Sequence, residues 1–185
     1  MKTSIINGSE VSRLSVAIQN MMLKLPLLKV MLYHFITLIF LGPLTSYADN
    51  FYAKVVRVID GDTVLVYDGT QKTKVRLYGI DAPESKQAFG QKSKNLMIQL
   101  AANQVVDIED HGQDVYGRML GTLFLNNQDL NAVMIYEGMA WAYRYQDRLT
   151  VTQYGALEQN ARNSRKGLWA DPHPIEPRLW RHKND

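Results

Sequence analysis

The sequence predicts a small closed β-barrel with attached α-helices, an α+β fold. Five short runs rich in Val, Leu and Tyr are typical of β-strands. The hydrophobic period changes from two to 3.6 residues after the third run, which indicates a helix between the third and fourth strands. With more helix after the fifth strand, this element order favours a barrel over an open sheet.

Turn signals separate the first three strands. The dipeptides at residues 60–61 and 68–69 are both Asp-Gly, which favours tight turns between neighbouring antiparallel strands. The predicted strands cover residues 53–59, 63–67, 72–80, 105–109 and 119–125.

Helices are predicted where apolar residues return at helical spacing. Residues 90–102 carry such a face, formed by Leu96, Met97, Leu100 and Ala101. Two further helices are predicted at 130–136 and 152–164, each followed by a glycine that ends it. We place the folded domain at 49–170 and predict an irregular, proline-rich tail at 171–185.

The composition fits one globular domain without disulfides. The chain has 185 residues, 46% hydrophobic and 21% charged, and it contains no cysteine, which excludes thiolate metal ligands and a cysteine nucleophile. The formal net charge of +3 comes from residues 1–48, which hold four basic residues and one acidic residue. Subtracting them from totals of 21 and 18 leaves 17 of each sign, so any anion-binding site must be built locally.

The N-terminal segment has the order of a secretory signal. Two lysines precede an apolar stretch at residues 30–41, and the segment ends in small residues at Ser46 and Ala48. We predict a signal peptide at 1–48 with an extended N-terminal region, cleavage after Ala48, and a secreted or periplasmic protein. The alternative is a signal anchor, since residues 30–48 could nearly span a bilayer. The short apolar core and the small-residue end favour cleavage.

The turn between the second and third strands predicts which residues lie opposite each other. If Tyr67 faces Lys72, then Thr63 faces Arg76. Asp62 and Arg76 therefore lie at the same end of this hairpin.

Two more carboxylates, Asp81 and Glu84, follow the third strand and are expected at the same end of the hairpin. Crowded carboxylates repel each other, and a cation between them relieves the repulsion. Oxygen ligands without His or Cys favour Ca²⁺ or Mg²⁺ over zinc. The alternative is that these acids only form turns, which is the ordinary role of Asp beside Gly.

Four motifs together resemble the staphylococcal nuclease (thermonuclease) family. They are IDGDTV at 59–64, VRLYGIDAPE at 75–84, DVYGR at 114–118 and WAYRY at 141–145, in the family's order. The ending KGLWADPHPIEP is also similar to that of secreted bacterial members. The resemblance implies a five-stranded OB-fold barrel with about three helices. It further implies a calcium-dependent endonuclease that hydrolyses phosphodiester bonds of DNA and RNA and leaves a 3′-phosphate.

The resemblance also implies a metal site and a residue that acts on water. Asp62 and Asp81 look like the side-chain ligands of Ca²⁺, and the backbone carbonyl of Ala82 looks like a third ligand. Glu84 resembles the residue that orients or deprotonates the attacking water.

Arg76 and Arg118 resemble the family's paired guanidinium groups, which stabilise the phosphate in the transition state. Tyr143 and Tyr145 match its substrate-binding tyrosines. Taken alone, Arg118 could be a solvated surface charge, and the tyrosines could be ordinary barrel packing.

Two other functions compete with the nuclease. The first is a non-catalytic OB-fold module that binds nucleic acid, and the second is a glycosidase that uses Asp81 and Glu84 as an acid and base pair. The arginines have no evident task in a glycosidase. We expect the processed protein to be a monomer without stable membrane association.

Overall fold

The computed structural model describes residues 50–184 continuously. Of the earlier part it describes Arg13, Ser15, Val16, Gln19 and Asn20. The chain divides into two compact units, Met1–Tyr47 and Ala48–Asp185. The described residues of the first unit are helical and exposed, and the predicted signal peptide otherwise lies outside the described residues. Within the described ranges, no helix has both the length and the apolar character needed to cross a bilayer.

The second unit is built around a closed five-stranded barrel. The strands described in this unit, of which five form the barrel, are β1 Asn50–Val58, β2 Thr63–Tyr67, β3 Lys72–Leu77, β4 Ile80–Asp81, β5 Val105–Gln113, β6 Met119–Leu125, β7 Gln128–Asp129, β8 Trp141–Ala142, β9 Arg144–Tyr145 and β10 Arg148–Leu149. The barrel strands lie in the order β3-β2-β1-β5-β6, and β3 pairs with β6 to close the ring. This closing pair is parallel, with Arg76 opposite Leu120, whereas the other barrel neighbours are antiparallel.

The barrel interior is filled by alternate residues of the strands. Val64 and Val66 of β2 are buried, and Val75 and Leu77 of β3 are buried at the same spacing of two. Successive strand residues point to opposite faces, so this spacing brings the apolar side chains to one side. The same core includes Val55, Val106, Ile108 and Leu123 from β1, β5 and β6.

Four α-helices occur in the described part of this unit. They are α1 Gly90–Ala101, α2 Leu130–Tyr136, α3 Thr152–Asn163 and α4 Pro177–Asn184, and a 3₁₀ turn covers Gly167–Ala170. Met97 of α1 and Met134 of α2 are fully buried in the barrel's core cluster. The closed barrel with attached helices confirms the predicted fold class and has the strand order of an OB-fold.

Asn131 attaches α2 to the barrel. Its side chain is fully buried, and its Oδ1 accepts a hydrogen bond of 3.3 Å from the N–H of Leu123. Its Nδ2 donates to the carbonyl oxygens of Tyr78 at 3.0 Å and Gly121 at 3.1 Å. One side chain thus supplies partners to three backbone groups and fixes the turn that follows β3.

The third strand is shorter than predicted. The expected range was 72–80, but β3 ends at Leu77 and a turn separates it from β4. Gly79 in this turn has a φ of 78°, which a continuing strand cannot adopt. The turn redirects the chain, so that Asp81 in β4 pairs with Trp141 in β8.

The prediction of an irregular C-terminal tail is wrong for residues 177–184, which form α4. Pro177 is the first residue of this helix, a position where its missing N–H removes no helical hydrogen bond and its fixed φ suits the helix. Of the tail's three prolines, Pro172, Pro174 and Pro177, the last therefore begins a helix and does not continue the irregular stretch.

The buried amide of Asn131 gives a test of this packing. Asn131→Leu leaves three buried backbone groups without their side-chain partner, so we expect the free energy of unfolding to fall by about 2–4 kcal/mol. Urea denaturation followed by circular dichroism measures it. Asn163→Ala, at an exposed position of α3, is the control and should change it by less than about 0.5 kcal/mol. A similarly small loss for both variants would contradict the assigned role.

Candidate active site

The β2–β3 hairpin brings Asp62 to the strand that carries Arg76. The ladder pairs Thr63 with Arg76, which confirms the predicted register. The N–H of Leu77 then donates to the backbone carbonyl of Asp62 at 2.8 Å, so pairing continues to the hairpin's end. The two charged side chains meet there because one register fixes both strands.

Arg76 is mostly buried and bridges two carboxylates. Its Nη1 lies 3.1 Å from Asp62 Oδ2 and donates to the carbonyl oxygens of Leu77 at 3.2 Å and Ile80 at 3.0 Å. Its Nη2 donates to Asp81 Oδ1 at 2.8 Å. Among the described residues the Nε–H of Arg76 has no hydrogen-bond partner, so the Nε edge of the guanidinium is available to an anion.

Asp62 and Asp81 are both buried, with 6% and 2% of their surfaces exposed. Asp62 Oδ2 accepts a hydrogen bond of 2.6 Å from the N–H of Ala82, and its Oδ1 accepts one of 3.1 Å from the Thr63 hydroxyl. Burial raises the pKa of Asp81; the charge of Arg76 opposes this shift, and the charge of Asp62 adds to it. The net direction is upward, because the effect of burial outweighs that of the neighbouring guanidinium groups.

Asp60 adds a further carboxylate to this end of the hairpin. Its Oδ1 accepts a hydrogen bond of 3.0 Å from the N–H of Asp62. Burial, together with the nearby charge of Asp62, raises the pKa of Asp60 to about 6. Asp60 therefore does more than form the predicted turn: it increases the negative charge beside Asp62.

Glu84 is held in place by the backbone of its loop. Its N–H donates to Gln87 Oε1 at 3.1 Å, and the N–H of Gln87 donates back to the Glu84 carbonyl at 2.8 Å. The start of α1 also lies very close, since a Cβ on Gly90 would come within 1.9 Å of the Glu84 carbonyl oxygen. Glycine at position 90 thus allows α1 to pack against this loop and fix the direction of Glu84.

Arg181 of α4 enters the same site, which the sequence did not predict. Its Nη1 lies 2.7 Å from Glu84 Oε1, and its Nη2 lies 3.1 Å from Asp81 Oδ2. A second contact of 3.3 Å joins Nη1 to Asp81 Oδ1. Partial burial opposes the charge of Arg181, but these carboxylates raise its pKa above the ordinary value.

Arg118 is positioned by its own loop. Its Nε and Nη2 both lie 2.7 Å from Asp114 Oδ2, and its backbone N–H donates to Asp114 Oδ1 at 2.9 Å. Asp114 also accepts a hydrogen bond from the N–H of Tyr116. The sequence analysis did not predict Asp114 as the partner of Arg118, although an Asp four residues before an Arg, with a glycine turn between them, is a recognisable sign of such a pair.

One cavity connects the predicted substrate-contacting residues. It has a volume of about 830 Å³, and its lining includes Arg76, Glu84, Arg118, Tyr143 and Tyr145. The two tyrosines are exposed by 36% and 66%, so packing in the barrel core does not account for them. Asp62, Ala82 and Arg181 also line this cavity, whereas Asp81 is not among its lining residues and reaches the site through its contacts with Arg76 and Arg181.

The oxygen donors at the cavity fit a hard, hydrated divalent cation. Asp62 and Asp81 are two carboxylates joined by one guanidinium. The described residues hold no group of three His, Cys, Asp or Glu side chains placed to bind a metal ion. A cation held here would therefore take much of its coordination from water and backbone oxygen, as Ca²⁺ commonly does.

Comparisons with known proteins identify the family. The family model described as "Staphylococcal nuclease homologue" matches residues 74–171. The match includes Arg76, Glu84, Arg118 and both tyrosines and begins after Asp62.

Three relatives each match about 70% of this chain. Micrococcal nuclease of Shigella flexneri is 43% identical over 141 residues, which are 71% of this chain and 81% of that protein. Protein ParB of Escherichia coli is 41% identical over 141 residues, covering 71% and 80%. An uncharacterized endonuclease of Haemophilus influenzae is 41% identical over 131 residues, covering 70% and 72%.

The closed barrel and its cavity of carboxylate and guanidinium groups define an OB-fold hydrolase of the nuclease class. The chain belongs to the staphylococcal nuclease family. This confirms the resemblance inferred from the four motifs.

The pKa of Asp60 predicts how stability depends on pH. The folded pKa of about 6 exceeds the ordinary value of 3.8, so between these values the folded state holds a proton that the unfolded state releases. Stability from this group is therefore lost as pH rises through that window. With EDTA at about pH 7.5, Asp60→Asn should raise the free energy of unfolding by about 1 kcal/mol, allowing for solvent screening.

The effect should vanish near pH 3.5, where Asp60 is protonated in both states. Asp147→Asn removes the same charge at an exposed loop position and serves as the control. Urea denaturation at both pH values measures the difference. Equal effects of the two variants on the free energy of unfolding at neutral pH would contradict the raised pKa of Asp60.

Proposed function

We propose that the protein is a calcium-dependent endonuclease that hydrolyses phosphodiester bonds in DNA and RNA. The observation that carries this proposal is the shared cavity, onto which Arg76, Arg118 and Glu84 all open. The relatives named micrococcal nuclease and endonuclease support the reaction class.

Asp62 and Asp81 would hold the cation through their carboxylates, with the carbonyl oxygen of Ala82 as a backbone ligand. When bound, Ca²⁺ polarises the phosphate and stabilises the negative charge that develops on its oxygens. Four carboxylates, those of Asp60, Asp62, Asp81 and Glu84, lie around the guanidinium groups of Arg76 and Arg181, while Arg118 is paired with Asp114. The excess negative charge is what a divalent cation would neutralise.

Arg76 stabilises the phosphate from a fixed position. Two carboxylates and two carbonyl oxygens restrain its guanidinium, so little reorganisation is needed when charge develops on the phosphate. Its free Nε edge can donate to a phosphate oxygen. Arg118 acts from the opposite loop, where Asp114 holds its Nε and Nη2 and leaves Nη1 for the substrate.

Glu84 acts on the attacking water. Its carboxylate lies at the cavity wall with 38% of the side chain exposed, so water can reach it. A carboxylate in that position accepts a hydrogen bond from water and orients its lone pair toward phosphorus, and it can take up the proton as the bond forms. Tyr143 and Tyr145 bind the substrate, either by stacking on a base or by donating to a phosphate.

Substitution of Arg76 tests the phosphate role. Arg76→Lys keeps the charge but loses the planar fork, so we expect kcat on purified DNA to fall about a hundredfold or more. Glu84→Gln should give a similar fall because the side chain can no longer accept the proton. Activity should require added Ca²⁺ and disappear in EDTA.

Arg57→Lys, at an exposed position of β1, is the matched control and should retain activity. Circular dichroism of each variant checks the fold. Undiminished kcat in Arg76→Lys would remove its catalytic role. Nucleic-acid binding without chelator-sensitive cleavage would instead support the alternative, a non-catalytic OB-fold binding module.

We also propose that the protein is exported and processed after Ala48, and that it then acts as a monomer without stable membrane association. The apolar stretch at 30–41 and the small residues before Asp49 support this proposal.

N-terminal sequencing of protein recovered from the periplasm or medium should begin at Asp49. Ala48→Arg, which places a large charged residue at the cleavage point, should slow processing and yield a longer product by mass spectrometry. An exported protein that retains the segment 30–48 would favour the signal anchor.

A further inference from the structure

Arg181 lies far along the chain from the two carboxylates that it contacts. It sits 100 residues after Asp81 and 97 after Glu84, yet its two Nη atoms reach both. The contact with Asp81 is two-pronged, since each Nη atom lies near a different oxygen. The short 2.7 Å contact to Glu84 makes one guanidinium a bridge between the two acids.

The acids bridged by Arg181 are the same two that the proposed function requires. Asp81 would bind the cation, and Glu84 would act on water. A cation and a guanidinium on one carboxylate repel each other at distances of a few ångströms, and the low polarity around buried Asp81 strengthens that repulsion. Asp81 Oδ1 already accepts a hydrogen bond from Arg76 at 2.8 Å, so a bound cation and Arg181 would compete for Oδ2, which lies 3.1 Å from Arg181 Nη2.

The helix that carries Arg181 is short and is anchored at its start. Pro177 at its first position is buried, and Gln87 Nε2 donates to the carbonyl of Ile175 just before it at 2.6 Å. The helix is only eight residues long, which is too short to be stable by itself. The ion pairs of Arg181 join the last turn of α4 to the acidic site.

We propose that Arg181 is an internal counter-ion that competes with the divalent cation for Asp81 and Glu84. Cation binding then releases the guanidinium, frees Glu84 to act on water and loosens the last turn of α4. This inference rests on the proposed function, in that it takes Asp81 as a cation ligand.

Calorimetric titration with Ca²⁺ tests the competition without any measurement of cleavage. Arg181→Gln should bind Ca²⁺ roughly five- to tenfold more tightly than the unsubstituted protein, because no ion pair has to be broken. Arg181→Lys keeps the charge but loses the bridge, so its affinity should lie between the two. Arg178→Gln, at an exposed position of the same helix, removes an equal charge and should change the affinity less than about twofold.

The outcomes separate this inference from the proposed function. Equal or weaker Ca²⁺ binding by Arg181→Gln overturns the competition alone, as does an equally large effect of Arg178→Gln. If neither the unsubstituted protein nor Arg181→Gln binds Ca²⁺, the proposed calcium site fails and this inference fails with it.

Hydrogen exchange followed by mass spectrometry gives a second, independent measurement. Saturating Ca²⁺ should speed amide exchange in residues 177–184 of the unsubstituted protein, whereas Arg181→Gln should exchange rapidly there with or without Ca²⁺. Unchanged or slower exchange of this segment on Ca²⁺ addition would contradict the release of α4.

Discussion

The site depends on one buried cation, the guanidinium of Arg76. With 14% of its side chain exposed, it has lost most of its hydration, and a buried charge is tolerated only when it is paired and hydrogen-bonded. Asp62, Asp81 and two backbone carbonyls meet that requirement. Arg76 in turn stabilises the two acids, because its positive charge lets Asp62 and Asp81 approach each other at the barrel rim. Without Arg76 the two carboxylates would repel each other, which favours protonation of one of them.

Two guanidinium groups serve the same acidic cluster but differ in how they are held. Arg76 projects from β3, a strand with neighbours on both sides in the closed barrel. Arg181 projects from a short terminal helix, and 41% of its side chain is exposed. A rigid positive group, Arg76, and a displaceable one, Arg181, can thus both bind Asp81 and have different roles. The first stabilises the arrangement of the acids, whereas the second can be exchanged for another positive species.

Local sequence signals determined how much could be predicted. The Asp-Gly turn at 68–69 and the alternating valines on either side set the register, so Thr63 faces Arg76 as expected. Gly79 was included in a strand because neighbouring apolar residues suggested continuity, although an isolated glycine there is a recognised sign of a break. Arg181 gave no such signal, because its position depends on contacts nearly a hundred residues distant.

The closure of the barrel has a consequence for when the protein becomes reactive. Arg118 immediately precedes β6, and Arg76 lies opposite Leu120 in the parallel pair that completes the ring. The separation between the two arginines is thus set by a long-range pairing, and such pairings are among the slower events in folding. An incompletely folded chain has each guanidinium but no fixed distance between them. If both arginines act on the phosphate as proposed, cleavage requires the completed ring, and loosening of the β3–β6 pair alone would lower activity.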